Sequence, residues 1–412
     1  MGAPLTATVL LTAESLAVVE AMGPLDVLVG VPVCNHARSI ARLLEALAAG
    51  LQESVAPQRG ALLVLNAGSQ DDAGTAVRTW LAGAPAVPPV RWLEIATPRR
   101  GHALLALFAA AQALGVAACA FVDADLTGAT PAWIPALVQP ILEQTATCVL
   151  PVYTRPLSDG TLTTNLLAPV TRALYGKRVH EVIGGCAGVA PALAGTLLDH
   201  VWQADHSAGG VDLLLTTQAV ATGATVAEAR LGPKQVAGGW GQPDLATTLV
   251  RTVGALFGAM ERFHERWDAV QGSVPLTPPA ADGLLPPAPG AHVDRMVYAF
   301  RMGLKDLLPV WEQIMPEDTL ADLYPLGVGP AEEFQFPGPV WARAVFDFAL
   351  AFHDRRLPRE HLLRALAPLY LGRAAAFLLE ARGAAPAGFD FLLERVGRAF
   401  EEAKGDLRFR WR

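Results

Sequence analysis

Short apolar runs alternate with amphipathic helical patterns through the first half of the chain. A strand is predicted over Leu25–Val33, where branched apolar residues predominate. The segment after it places Ile40, Leu43, Leu44 and Leu47 on one stripe, as an amphipathic helix requires. Further strands are predicted at GALLVLNAG (60–68), VRWLEIA (90–96), ACAFVDAD (118–125) and TCVLPVY (147–153). Strands that alternate with helices indicate βαβ units and a mostly parallel sheet.

The longest apolar stretch, Ala103–Val122, is long enough to span a membrane. Gly115 interrupts it, however, and Asp123 follows it at once. We therefore predict a buried helix over 101–114, a turn at Gly115 and a buried strand over 118–124, and we expect no membrane span.

The second half of the chain changes character. Proline and glycine are dense over 275–290, which predicts a loop, and helical periodicity dominates from Val293 onward. We predict an N-terminal helix over 1–24, an α/β domain over 25–240 and a mostly helical region over 241–412.

Composition narrows the class of protein. The 412 residues are 52% hydrophobic and 17% charged, which excludes a disordered chain, and a net charge of −7 without a basic stripe argues against a nucleic-acid partner. The cysteines lack metal-site spacing, which indicates free thiols in a reducing compartment. No signal peptide is evident, so we expect a cytoplasmic protein.

The strongest chemical signal is the triplet Asp123-Ala124-Asp125 at the end of a predicted strand. Side chains alternate along a strand, so both carboxylates lie on one face of the sheet. Carboxylates this close repel unless a cation lies between them, and a divalent ion with nucleotide phosphates is the simplest explanation. A D-x-D triplet also occurs by chance on solvated loops, but its place directly after an apolar strand favours a site.

Polar turns follow the first two predicted strands as well. In VPVCNHARSI, Pro32 ends a strand and Asn35 precedes a helix, while NAGSQDDAGT (66–75) is a second turn that enters a helix. Ligands of α/β sheets bind beyond the carboxyl ends of the strands, where these turns lie. Taken singly, each turn is also explained as an ordinary turn with an N-cap.

Together these segments resemble nucleotide-sugar glycosyltransferases of the GT-A fold. The resemblance rests on VGVPVCNHARSI, NAGSQDDAGT, PRRGHAL, FVDADL, LPVYTRPLSDGTLTTNLLAPVTRALYGKR, IGGCAG and GVDLLLTTQAVATGA, in that order. It is closest to the retaining group of glucosyl-3-phosphoglycerate and mannosylglycerate synthases. It implies a Rossmann-like mixed, mostly parallel sheet flanked by helices, with a helical C-terminal region. It also implies a divalent metal, Mg²⁺ or Mn²⁺, as cofactor.

The resemblance also implies a role for each matching residue. The residues that would bind the donor are Pro32, Asn35, Asn66, Gly68, Arg100, Gly101, Asp123, Gly184 and Gly185. Asp123 and Asp125 would bind the metal. The residues that would bind the acceptor are Arg155, Thr163, Thr164 and Asn165. Asp212 would be the catalytic carboxylate that orients the sugar or the acceptor.

Several positions depart from the pattern of these relatives. Asn66 stands where an aspartate is usual, and Cys186 where a GGDFG-type motif has an acidic residue. The segment LGPKQV offers Gln235 and Val236 where a metal-ligating histidine is expected, and valine cannot bind a metal. These changes indicate a changed donor, a changed metal requirement or a decayed site.

The sequence and this resemblance therefore predict a metal-assisted hexosyltransferase, and the resemblance alone implies that it retains the anomeric configuration. Its partners would be a GDP- or UDP-hexose donor and a small anionic or polar acceptor such as glycerate or phosphoglycerate, and a homodimer is left open. The alternative from another class is a catalytically lapsed GT-A relative that binds sugar nucleotides or acts as a scaffold. A nucleotidyltransferase is a weaker alternative, because no Gly-rich, Lys- or Arg-bearing loop follows the first strand.

Overall fold

The computed structural model describes residues 5–54, 59–83, 88–199, 210–237, 244–276, 284–286, 292–382 and 388–411. The strands are β1 (Val27–Val33), β2 (Gly60–Asn66), β3 (Val90–Glu94), β4 (Ala118–Val122), β5 (Cys148–Pro156), β6 (Lys177–Arg178), β7 (Cys186–Val189), β8 (Val226–Pro233), β9 (Val274–Pro275) and β10 (Leu284–Leu285). The helices from the N-terminus to residue 221 are α1 (Ala7–Leu10), α2 (Ala13–Glu20), α3 (Ile40–Ser54), α4 (Ala73–Gly83), α5 (Arg100–Leu114), α6 (Trp133–Leu142), α7 (Ala168–Tyr175), α8 (Pro191–Leu198) and α9 (Gly210–Ala221). The later helices are α10 (Leu245–Arg262), α11 (His264–Asp268), α12 (Val293–Asp306), α13 (Leu308–Trp311), α14 (Glu317–Leu323), α15 (Gly338–His353), α16 (Arg359–Ala365), α17 (Ala367–Arg382) and α18 (Phe389–Arg410).

The chain divides into two compact units. The first comprises residues 1–153 and 183–242, and the second comprises residues 154–182 and 243–412. In the first unit the strands follow the order β5-β7-β4-β1-β2-β3, with β8 paired to β5. β1 pairs in parallel with β2 and β4, and β2 with β3, whereas β7 runs antiparallel to β4 and β5. The predicted α/β class, a mixed and mostly parallel sheet flanked by helices, is confirmed by these pairings.

Both faces of the sheet are covered, which explains why β1 is buried along its whole length. Val27, Val29, Val31 and Val33 join one apolar cluster with residues of α3 and α6. On the other face Gly30 leaves room for α5, because a Cβ there would lie 2.4 Å from a methyl of Leu107.

The long apolar stretch folds as predicted. α5 ends at Gly115, which takes the left-handed conformation with φ 62°, and β4 begins at Ala118. A separate stretch in the second unit, Arg359–Arg382, is long and apolar enough to cross a membrane by length and composition alone. Most of it is buried within the structure, as in the core helix of a soluble protein, so it is weak support for a span.

Two segments are organised differently from the sequence-based divisions. The region 1–24, predicted as one helix, contains α1 and α2, which separate at Leu11 because that residue pairs with Ile95 and Thr12 caps the second helix. Residues 154–182, predicted within the 25–240 domain, group with the C-terminal helices. Of the predicted loop over 275–290, residues 277–283 and 287–290 lie outside the described residues.

Residues 154–182 share buried and half-buried polar contacts with the C-terminal helices of the same unit. The Arg172 guanidinium donates to Glu394 at 2.7 Å and to Glu401 at 2.9 Å. The Trp341 indole donates to the Asn165 carbonyl oxygen at 2.6 Å. These bonds join sequence segments more than 170 residues apart, a separation at which local sequence patterns carry no information.

Replacing Gly188 by alanine tests how tightly α6 packs on the sheet. A Cβ at Gly188 would lie 1.9 Å from the Leu137 carbonyl oxygen, a backbone atom that cannot move aside alone. We expect Gly188→Ala to lower the free energy of unfolding by about 1–3 kcal/mol in urea titration. Gly258→Ala is the control, because no atom lies within 4 Å of its Cβ position in α10. It should raise stability by about 0.5–1 kcal/mol, and equal losses in both variants would contradict this packing.

Candidate functional site

The acidic triplet lies at the carboxyl end of β4, as predicted. The Asp123 amide donates to the Gly185 carbonyl at 2.8 Å, and the Ala124 amide to the Pro32 carbonyl at 3.3 Å. These bonds fix the triplet between the end of β1 and the turn that precedes β7. The Asp125 carboxylate is half-buried and makes no hydrogen bond or ion pair with any described residue.

Arg100 joins Asp123 to Asp212. Its Nε donates to both carboxylate oxygens of Asp123, at 2.8 and 2.9 Å, and its Nη2 donates to Asp123 Oδ2 at 2.6 Å. Its Nη1 and Nη2 donate to the two oxygens of Asp212, each at 2.9 Å. The guanidinium therefore lies between two carboxylates with one side turned to each, a geometry that lysine cannot reproduce.

The dipoles of two helices act in opposite directions on these charges: one stabilises Asp212 and the other destabilises Arg100. Asp212 lies in the first turn of α9, where the helix dipole favours a carboxylate. Arg100 begins α5, where the same dipole disfavours a cation, so its carboxylate partners must offset that cost.

Burial and charge shift the pKa of two members of this cluster. Burial raises the pKa of Asp123 to about 7; Arg100 opposes the shift, while Asp212 and Asp125 add to it. Burial alone would lower the pKa of Arg100, but the charges of Asp123 and Asp212 outweigh burial and raise it above its ordinary value. Arg100 is therefore the cation that favours the ionised form of Asp123 and limits the rise in its pKa that burial causes.

The turns after β1 and β2 are bonded to each other. Asn35 adopts φ 60°, and its side-chain oxygen accepts from the Gln70 amide at 2.7 Å. The Asn66 side-chain oxygen accepts from the amides of Gly68 and Ser69 at 3.2 and 2.9 Å. The Asn66 amide group donates to Glu94 at 2.9 Å. Both predicted donor-binding asparagines therefore shape the turns in which they lie.

The turn over Gly184 and Gly185 approaches the acidic triplet closely. Gly185 has φ 77°, and a Cβ there would lie 3.2 Å from Asp123 Oδ2. The Tyr153 hydroxyl donates to the Gly184 carbonyl at 3.0 Å and lies 3.0 Å from the Cys186 sulfur. Burial raises the pKa of the Cys186 thiol to about 12, so this residue is a neutral thiol where relatives have an acid.

The segment after β8 lies directly beside Asp125. Leu126 and Val236 form an antiparallel bridge, and the Ala237 amide donates to the Asp125 carbonyl at 2.7 Å. The position expected to supply a metal-ligating histidine is therefore next to the acidic triplet, and an exposed valine occupies it. Within the described ranges, no group of three or more His, Cys, Asp or Glu side chains could hold a metal.

The remaining predicted donor-site residues lie at element ends in the first unit. Pro32 is the penultimate residue of β1, Gly68 lies in the second turn with φ 99°, and Gly101 is buried in the first turn of α5. All the predicted donor and metal residues therefore lie in or next to the carboxyl-end turns of the sheet.

The predicted acceptor residues belong to the second unit. Arg155 pairs with Glu181 at 2.6 Å, with both side chains almost fully buried. Thr163, Thr164 and Asn165 lie buried in one turn of π-helix, Thr163–Leu167. The Asn165 side chain is bonded at both ends, since it donates to Thr161 and accepts from Arg373. The acceptor role of these four residues stays a prediction.

One cation beside the site, Lys234, was not predicted from the sequence. The Lys234 ammonium lies 5.0 Å from the centre of the Tyr153 ring. Its charge also acts on the Cys186 thiol, as do those of Asp123 and Asp212. The signal was available in LGPKQV, a segment interpreted only for the histidine it lacks.

The fold and the site define an α/β protein whose acidic cluster and two polar turns meet at the carboxyl edge of a mixed sheet. This is the architecture that the GT-A resemblance predicted. No protein-family model and no curated protein matches the chain.

Solved structures do match the chain. Glucosyl-3-phosphoglycerate synthase from Mycobacterium tuberculosis in complex with phosphoglyceric acid is 20% identical, with a TM-score of 0.45, over 61% of this chain and 84% of that one. The same enzyme with Mn²⁺, UDP and glucosyl-3-phosphoglycerate gives the same values. A further structure, described as a mycobacterial protein, is 21% identical, with a TM-score of 0.46, over 61% of this chain and 80% of that one.

Proposed function

We propose that the chain is a glycosyltransferase that moves a hexose from a nucleoside diphosphate to a small polar acceptor such as glycerate or phosphoglycerate. The observation that carries the proposal is the cluster of Asp123, Asp125, Asp212 and Arg100 at the carboxyl edge of the sheet. Two turns bonded to each other lie at the same edge, which is where α/β sheets bind nucleotides. The sequence motifs of the group support the same class of reaction.

A divalent metal fits this site with the nucleotide as co-ligand. Asp125 has an open carboxylate, and Mg²⁺ in phosphate-transfer sites commonly takes one or two carboxylates, with phosphate oxygens and water as its other ligands. When bound, the cation would neutralise the charge on the leaving diphosphate. The proposal therefore assigns Asp125 as the protein ligand that is available without rearrangement.

The residues of the chain would divide the remaining work. Asp212 would orient the sugar or the acceptor, and Arg100 would hold Asp212 in place through its two 2.9 Å bonds. Lys234 would add positive charge near the diphosphate. Retention of the anomeric configuration is carried by the sequence resemblance alone, and the anomer of the isolated product would test it.

Calorimetry with UDP- and GDP-hexoses, each with Mn²⁺, Mg²⁺ or EDTA, tests this function. We expect metal-dependent binding of one nucleotide sugar, weakened about tenfold or more by Asp125→Ala because a metal-bearing carboxylate is lost. Asp199→Ala is the control, since Asp199 is an exposed carboxylate at the end of α8. UDP-glucose and phosphoglyceric acid, which occur in the similar solved structures, are the first donor and acceptor to try.

The result also decides between the enzyme and the lapsed relative. The valine beside Asp125 is the observation that favours a lapsed site. Nucleotide binding without hydrolysis or transfer of any donor would support the lapsed relative. Absence of nucleotide binding under every metal condition would contradict the enzyme and the nucleotide-binding form of the lapsed relative, and would leave only a scaffold.

A further inference from the structure

The two carboxylates of the acidic triplet have different partners, although both were predicted from the sequence to bind the metal. Asp125 has no hydrogen-bond or ion-pair partner among the described residues. Asp123 is bonded through both oxygens to Arg100 and through its backbone amide to Gly185. Of the two carboxylates, only that of Asp125 is therefore open to a cation, as far as the described residues show.

We infer that Arg100 excludes free divalent metal from the site, so that the cation enters only together with the nucleotide diphosphate. The inference rests on the proposed function and names the order in which that site is filled. Arg100 is a positioning residue in this scheme: it holds the Asp123 carboxylate that would otherwise join Asp125 in chelating the metal.

The bond pattern shows why a free cation competes poorly with Arg100. The guanidinium satisfies Asp123 and Asp212 together, so a metal that took Asp123 would break three contacts, with N–O distances of 2.6, 2.8 and 2.9 Å. It would also place a second cation next to Arg100, which Asp212 still holds. Charge-assisted bonds of this geometry are among the strongest in proteins.

The surroundings of Asp123 hinder an alternative arrangement. The side chains of Arg100 and Asp123 are only 16% and 15% exposed. The Gly185 backbone is also so close to Asp123 that a Cβ on Gly185 would lie 3.2 Å from Asp123 Oδ2. When a nucleotide is present, a metal ion no longer has to compete with Arg100 for Asp123, because the phosphate oxygens of the nucleotide supply the missing ligands.

Binding of Mn²⁺ alone tests the inference. Free aqueous Mn²⁺ is quantified by electron paramagnetic resonance in titrations of the wild-type chain and of Arg100→Gln, without nucleotide. We expect Arg100→Gln to bind Mn²⁺ about 10- to 100-fold more tightly than the wild type, because Asp123 becomes available beside Asp125. Adding Asp125→Asn to Arg100→Gln should remove the gain. Arg99→Gln, which removes a neighbouring exposed charge, should leave wild-type affinity unchanged.

Equal Mn²⁺ affinity in the wild type and Arg100→Gln would overturn the inference. If Arg100→Gln does not fold, as judged by circular dichroism, Arg100→Lys decides in its place. Lysine keeps a charge but cannot contact both carboxylates with a planar fork, so it should tighten Mn²⁺ binding severalfold, and unchanged affinity would again overturn the inference. Failure of the proposed function appears separately, as absence of nucleotide binding to the wild type in any metal condition.

Discussion

Asp212→Asn is expected to lower kcat for hexosyl transfer by about 100- to 1,000-fold, the range seen when a charged group that stabilises a transition state is lost. Asp212 is 7% exposed and uses both oxygens to accept from Arg100. Asparagine keeps the shape but removes the charge and turns an NH₂ group toward the guanidinium. Whichever way the amide is turned, one of the two bonds to Arg100 is lost, because asparagine has a single acceptor oxygen.

Steady-state kinetics with varied donor and acceptor, followed by single-turnover measurement, would show which step is lost. Nucleotide affinity should change by less than about threefold, because Asp123 still pairs with Arg100 and Asp125 is untouched. Asp199→Asn makes the same chemical change at an exposed position and should leave kcat at the wild-type value. A kcat for Asp212→Asn within threefold of wild type would remove Asp212 from the catalytic role.

Local sequence patterns predicted those parts of the fold that local physics determines. The helix, turn and strand over residues 100–122 follow from an apolar run broken by one glycine, and the structure reproduces them almost to the residue. The acidic triplet was placed correctly at a strand end for the same reason. In each case the signal and the structure it specifies lie within about twenty residues of each other.

The pairing of charges could not be predicted in that way. Arg100 and Asp212 are 112 residues apart, and no local sequence pattern around either residue indicates that they form a pair. The sequence assigned Asp125 to a metal and Asp123 to the metal and the donor, but it did not predict that Asp123 pairs with Arg100 while Asp125 has no such partner among the described residues. Motif spacing identifies which carboxylates can bind a cation. Tertiary packing determines whether that cation is a metal ion or an arginine side chain.

The same limit applies in the second unit, where Asn165 was predicted to bind an acceptor. Its side-chain oxygen accepts from Arg373, a fully buried residue of α17, at 3.1 Å. Arg373 also donates to the Phe336 carbonyl at 2.6 Å and to Glu380 at 2.8 Å. One guanidinium thus satisfies polar groups from three segments of the chain, and the sequence alone did not indicate these partners.

Arg373→Met should therefore be the most destabilising single change in the second unit, lowering the free energy of unfolding by about 3–5 kcal/mol. Methionine fills a similar volume but has no N–H groups. The Asn165 side-chain oxygen, the Phe336 carbonyl and the Glu380 carboxylate therefore lose the donor that Arg373 provides. Arg364→Met is the matched control, because Arg364 is 50% exposed in its pair with Glu360, and such surface pairs contribute about 0.5 kcal/mol or less.

Denaturant unfolding followed by hydrogen exchange of peptides from α15 to α17 would locate the loss in the second unit. The exchange readout is needed because a chain of two compact units need not unfold in one step. Equal losses for Arg373→Met and Arg364→Met would mean that the buried network adds nothing beyond a surface ion pair. A loss confined to Arg373→Met would instead assign Asn165 to the framework of the π-helical turn, since its side-chain oxygen would then be committed to Arg373 and not open to an acceptor.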